Sequence, residues 1–134
     1  MNRPIKFRAK GKSDGQWHYG SLLQIGDDLS IATDTEAVYE MCDVDPSTIG
    51  QFTGLLDCNG KEIYEGDIVL YGGSIQHEVM FRHGAFGYLI YGGQFMSYAG
   101  NPNFTFNPLN RSKEHEVIGN IHDNNIDELI EKIE

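Results

Sequence analysis

The sequence predicts a mainly β fold: antiparallel strands punctuated by glycine, a small barrel in the C-terminal half and one short helix at the end. Three observations predict it. Sixteen glycines separate short apolar or aromatic runs. Within those runs apolar and polar residues alternate, as half-buried strands require. No helical period is sustained over the first hundred residues, whereas the last dozen switch to one. At 134 residues, 40% hydrophobic and 11% aromatic, the chain suits one domain with a real core.

In chain order, residues 5–10 (IKFRAK) alternate strictly and read as the first strand, followed by 16–24 (QWHYGSLLQ) and 28–33 (DLSIAT). Residues 35–41 (TEAVYEM) read as a helical turn or two, and Asp45-Pro46-Ser47 as a turn with proline preset for its second position. Residues 76–81 (QHEVMF) and 85–91 (AFGYLIY) form a hairpin about His83 and Gly84. Residues 101–110 (NPNFTFNPLN) read as an irregular loop, and 116–121 (EVIGNI) as a last strand. Ile126, Leu129, Ile130 and Ile133 fall at i, i+3, i+4 and i+7, one apolar stripe on a terminal helix that Asp123, Asn124 and Asn125 can cap.

Residues 54–71 (GLLDCNGKEIYEGDIVLY) concentrate the chemistry-bearing side chains. Asn59-Gly60 is the preferred pair for a two-residue type I′ hairpin. That loop sets Cys58 against Lys61, Asp57 against Glu62 and Leu56 against Ile63, with Asp57 and the neighbouring acids in water. Gly66-Asp67 then opens a core strand as in a small SH3-like barrel. The structural turn residues are therefore Asn59, Gly60 and Gly66. A catalytic alternative would gather Asp57, Glu62, Tyr64, Glu65 and Asp67 in a cleft.

Charge and motifs narrow the function classes. The net charge is −10, which repels a duplex backbone. The acids are unevenly placed: residues 1–20 carry Arg3, Lys6, Arg8, Lys10 and Lys12 against Asp14 alone. Such an arm reads as a solvated first strand. Alternatively, Lys6, Arg8, Trp17 and Tyr19 form a phosphate-contacting and stacking surface for single-stranded nucleic acid. Counting from Asp57, the EF-hand glycine and glutamate positions fail, and no HExxH, GxSxG, Walker or GxGxxG pattern occurs. Five scattered histidines and two cysteines, Cys42 and Cys58, show no zinc spacing. The expectation is no catalytic residue, no metal and no cofactor. Apolar runs are too short to span a bilayer, and the N-terminus has no signal-peptide core. A soluble cytosolic protein with reduced thiols is expected.

The span 48–69 (TIGQFTGLLDCNGKEIYEGDIV) resembles the signature of the YopX-like family of phage and prophage proteins. IKFRA at 5–9, WHYG at 17–20, VDPSTIGQFTG at 44–54 and EVIGNIHDN at 116–124 extend the resemblance over nearly the whole chain. Phe52, Lys10 and Cys58 depart from the family pattern, where a tyrosine, an apolar or aromatic residue and a lysine are usual. The resemblance implies a single domain with a β-rich part over residues 1–53, an SH3-like barrel part over 54–122 and a helix over 123–134. It carries no catalytic residues. The function expected is a non-enzymatic phage accessory module that binds a host or phage protein, with Tyr64, Glu65 and Asp67 as its contact surface. Homo-oligomerisation is compatible with the uncovered strand edges of a small β domain.

Overall fold

The computed structural model describes residues 5–34, 39–71, 75–82, 84–89, 95–97 and 115–124. The chain divides into two compact units, Met1–Gly54 and Leu55–Glu134.

The first unit is an antiparallel sheet. Strands β1 (Phe7–Lys10), β2 (Trp17–Ile25), β3 (Asp28–Asp34), β4 (Tyr39–Asp43) and β5 (Gly50–Leu56) lie in the order β4-β3-β2-β1-β5. Alternation sets the faces: Phe7 and Ala9 turn inward with Leu22, Leu29, Ile31, Val44 and Ile49, which form one core cluster. Ile31 and Val44 are fully buried, each worth about 1.5–3 kcal/mol against an exposed side chain. β2 and β3 are joined by Gly26-Asp27, with Ile25 opposite Asp28. A positive φ of 63° at Gly26 suits the primed turns that match strand twist.

Residues 39–41, expected to be helical, belong to β4, where Met41 pairs with Ala32 and Cys42 with Ile31. Ladder pairing to β3 overrides the weak local helical preference of this short run. Just beyond β4 the chain returns to the end of β1. Gly11 bridges Val44, the Lys12 N–H donates to the Asp43 carbonyl and the Asp45 N–H to the Lys10 carbonyl. The sheet therefore curls. Asp45 caps a 3-10 turn at Pro46–Thr48, accepting from the Ser47 N–H, where the sequence places the Asp-Pro-Ser turn.

In the second unit, β5 turns back into β6 (Glu62–Tyr64). Two three-stranded antiparallel sheets follow. One has β7 (Asp67–Tyr71) between β8 (Ile75–Glu78) and β12 (His115–Asn120); the other has β10 (Ala85–Leu89) between β9 (Met80–Arg82) and β11 (Phe95–Ser97). Residues 76–81, read as one strand, break at Val79. Its N–H donates to the Asp67 carbonyl and its own carbonyl accepts from the Gly66 N–H, so β8 and β9 join different sheets. Ile63, Val69, Val79 and Tyr88 are the core, with Leu55, Phe86 and Val117 packed against them. His77 stacks on Tyr88 at 4.6 Å between ring centroids, the buried-side partnership its alternation with Val79 suggests.

The fold is mainly β and antiparallel, as expected. The expected barrel is a correction: among the described residues the sheets do not close into one. The 101–110 loop and the helical stripe from Ile126 to Ile133 lie outside the described residues.

Candidate functional site

The acid-rich hairpin is built differently from the two-residue turn expected. The Asp57 N–H donates to the Lys61 carbonyl and the Gly60 N–H to the Asp57 carbonyl. Cys58, Asn59 and Gly60 thus form a three-residue loop, with Gly60 left-handed at φ 81°, the geometry of a tight turn followed by a bulge. Asp57 then stands opposite Lys61 rather than Glu62. The extra loop residue shifts the register by one and exchanges the strand's faces.

Asp57 is consequently buried, at 3% exposure, where the sequence placed it in water. Its Oδ1 accepts the N–H groups of Asn59 and Lys61 at 2.8 Å each, and its Oδ2 accepts the Val117 N–H at 2.9 Å. Asp67, 1% exposed, accepts the Tyr64 N–H through Oδ2 at 2.7 Å, across a turn in which Gly66 has φ 94°. Tyr64 is buried and donates its hydroxyl to Glu62 Oε1 at 3.1 Å. Of the expected contact trio Tyr64, Glu65 and Asp67, only Glu65 reaches solvent, and only in part. The buried carboxylates bind main-chain amides, which is a scaffold role. It also takes Asp57 and Asp67 out of the carboxylate cleft considered above.

On the first unit the basic residues of β1 meet aromatic rings. Register sets Arg8 opposite Tyr19 and Lys10 opposite Trp17. The Arg8 guanidinium lies 4.7 Å from the Trp17 ring centroid, Lys10 Nζ 5.5 Å from it, and Lys6 Nζ 5.0 Å from the Phe52 centroid. All three fall within cation–π range. Strand pairing thus sets Arg8, Trp17 and Tyr19 side by side, while Lys6 lies over Phe52. The structure also buries Arg8, while Tyr19 remains 47% exposed.

A third grouping escaped the sequence. Asp14, His18 and Cys42 place one donor atom each within 4.8 Å of one another. Asp14 sits in the β1–β2 turn, where its Oδ1 accepts the Gln16 N–H. His18 Nε2 lies 2.9 Å from Asp14 Oδ2 and 3.5 Å from Cys42 Sγ. The Gln16 N–H and then His18 hold the Asp14 carboxyl below its ordinary pKa. Burial, then the charges of Asp14 and Asp43, push the Cys42 thiol up. A nucleophilic triad needs the imidazole to meet carboxylate and thiol through opposite nitrogens. Here one nitrogen meets both. His18 and Cys42 are 24 residues apart, on strands that are not neighbours in the sheet order. Only the curl that returns Val44 to Gly11 joins them, and no local spacing signals it.

An antiparallel β protein of two compact units, with a cation–aromatic face and a mixed Asp–His–Cys cluster on its first unit, is the class these features define. No helix among the described residues is long and apolar enough to cross a membrane. The family model described as YopX protein matches residues 6–131, and the chain belongs to that family. The crystal structure of protein EF1440 from Enterococcus faecalis is similar, with a TM-score of 0.55 and 24% identity over 96% of this chain and 99% of that one. At that identity the likeness is one of fold. No curated protein matches the chain in sequence.

Proposed function

We propose that this chain is a non-enzymatic binding module that engages a basic protein partner, from a host or a phage, through its first unit. The observation that carries this reading is that strand register, with Ser21 opposite Ala32 and Ala32 opposite Met41, sets the exposed Tyr19 and Met41 on one face of that unit's sheet. Tyr19 and Met41 stand 47% and 51% exposed, and Ile5 and Ile25 are exposed too. Exposed aromatic, methionine and aliphatic side chains on an acidic protein suit an interface with a desolvated centre and a charged rim. The net charge of −10 supports steering toward a basic partner. Capture from host lysate on the immobilised chain tests it. The reading expects a retained protein whose yield falls as salt rises; no salt-sensitive partner would count against it.

A second reading, single-stranded nucleic acid on Lys6, Arg8, Trp17 and Tyr19, is favoured by the register that aligns these residues. The cations already lie over the chain's own rings, which competes with base stacking. Trp17 is the single tryptophan, so its fluorescence reports directly. Titration with oligonucleotides at low salt should quench it if this reading holds, and an unchanged signal removes it.

A further inference from the structure

The cluster on the first unit's sheet gathers an oxygen, a nitrogen and a sulfur donor within 4.8 Å of one another. His18 Nε2 faces Asp14 Oδ2 at 2.9 Å and Cys42 Sγ at 3.5 Å. As an N–H it donates to the carboxylate, and the thiol then has the Asp43 carbonyl at 3.6 Å as its acceptor; as a bare nitrogen it accepts from the thiol and faces a carboxylate lone pair. A single cation between the three satisfies all of them. The donor set of carboxylate oxygen, imidazole nitrogen and sulfur is one that zinc accepts. With a thiolate and a carboxylate, a divalent ion is charge-neutral.

Spacing agrees. Tetrahedral zinc at ordinary bond lengths sets nitrogen and oxygen about 3.4 Å apart, and nitrogen and sulfur about 3.6 Å apart. The nitrogen–sulfur separation of 3.5 Å already fits. The carboxylate oxygen must move to about 3.4 Å from the nitrogen and about 3.6 Å from the sulfur on the same bond lengths, and Asp14, 43% exposed on its side chain, can rotate to do so. An independent observation marks the place. A Cβ on Gly11 would clash with Asp14 Oδ1 and sit 3.0 Å from His18 Nε2. The glycine keeps open the space beside the Asp14 carboxylate and the His18 donor nitrogen.

We propose that Asp14, His18 and Cys42 bind one zinc ion, with the fourth position open to water on the side where Asp14 and His18 reach solvent. This revises the expectation of no metal. The ion ties the β1–β2 turn to β4 and so fastens the curl of the first unit. It is independent of the partner-binding reading.

The test uses the full chain, reduced and stripped with a chelator, and the metals alone as probes. One equivalent of Co²⁺ should produce a thiolate-to-cobalt charge-transfer band and tetrahedral visible bands, and Zn²⁺ should displace it stoichiometrically. The band should survive Cys58→Ser and vanish in Cys42→Ser. His18→Ala and Gly11→Ala should weaken Zn²⁺ binding at least tenfold, since loss of even an outer partner costs about 10–100-fold. A rise in wild-type melting temperature with Zn²⁺, reversed by chelator, gives a readout that needs no variant. Absence of the cobalt band in the wild type, or its loss in Cys58→Ser with retention in Cys42→Ser, would overturn the proposal.

Discussion

Asp57 and Val117, 60 residues apart in sequence, are joined by one hydrogen bond: Asp57 Oδ2 accepts the Val117 N–H at 2.9 Å. The same carboxylate holds the hairpin loop through Oδ1, so a single side chain fastens the β5–β6 turn to β12. It does so beside the register shift between Val117 and Gly119, where ladder pairing to β7 is interrupted. Asp57→Ala removes three charge-assisted bonds and leaves the Asn59, Lys61 and Val117 N–H groups without this acceptor. The expected loss is about 2–4 kcal/mol, measured by urea unfolding. Hydrogen exchange should accelerate first at Asn59, Lys61 and Val117.

Gly60 tests the loop geometry separately. Nothing lies within 4 Å of a Cβ added there, so its φ of 81° is the whole constraint. Gly60→Val should cost about 1–2 kcal/mol, and Gly60→Asn distinctly less, because asparagine visits the left-handed region. Equal costs in thermal unfolding would argue for a different loop.

The Arg8–Trp17 contact should be energetically real, since Arg8 is buried beneath the ring. A double-mutant cycle with Arg8→Met and Trp17→Leu should give a coupling of about 1–2 kcal/mol, the range for desolvated cation–π pairs. A coupling near zero would reduce the stack to coincidental packing.

Strand existence was legible because β1, β2, β3 and β12 each alternate over a glycine-bounded run. Loop length was not. Asn59-Gly60 advertised a two-residue turn, yet Asp57 offers the loop amides a buried carboxylate, and satisfying them favours the longer loop. The two-residue hairpin sits instead at Gly26-Asp27, between strands whose register agrees with it. The burial of Asp57 and Asp67 was hidden for a related reason. A carboxylate's fate depends on which amides surround it, and Val117 lies far along the chain. The Asp14–His18–Cys42 cluster was hidden because it depends on sheet curl. The cation–aromatic face was legible because adjacent antiparallel strands alone build it.

In the metal-free chain Cys42 should be a slow nucleophile. Burial and the Asp14 and Asp43 charges raise its thiol, so alkylation at neutral pH should lag that of free glutathione and rise steeply in alkaline buffer. Asp14 responds at the other end of the pH scale. Its folded pKa is depressed by the Gln16 N–H and by His18, so the stabilisation from this turn is fully present above the unfolded carboxyl value. It is lost as pH falls through the lower folded value. Carbon-detected titration of the Asp14 carboxyl should show a midpoint below the ordinary carboxylate range, and His18→Ala should raise it.

The central claim is that the acid-rich hairpin is scaffold and that the binding surface lies on the first unit. Partner retention by a Tyr19→Ala, Met41→Ala double variant tests it most directly, read beside the urea midpoint of the same protein. The account predicts an unfolding midpoint close to wild type and a partner yield reduced at least tenfold, as loss of about 1.4 kcal/mol or more at an interface requires. Undiminished retention by a folded double variant, with loss of partner on Glu65→Ala in the turn between β6 and β7 instead, would contradict it.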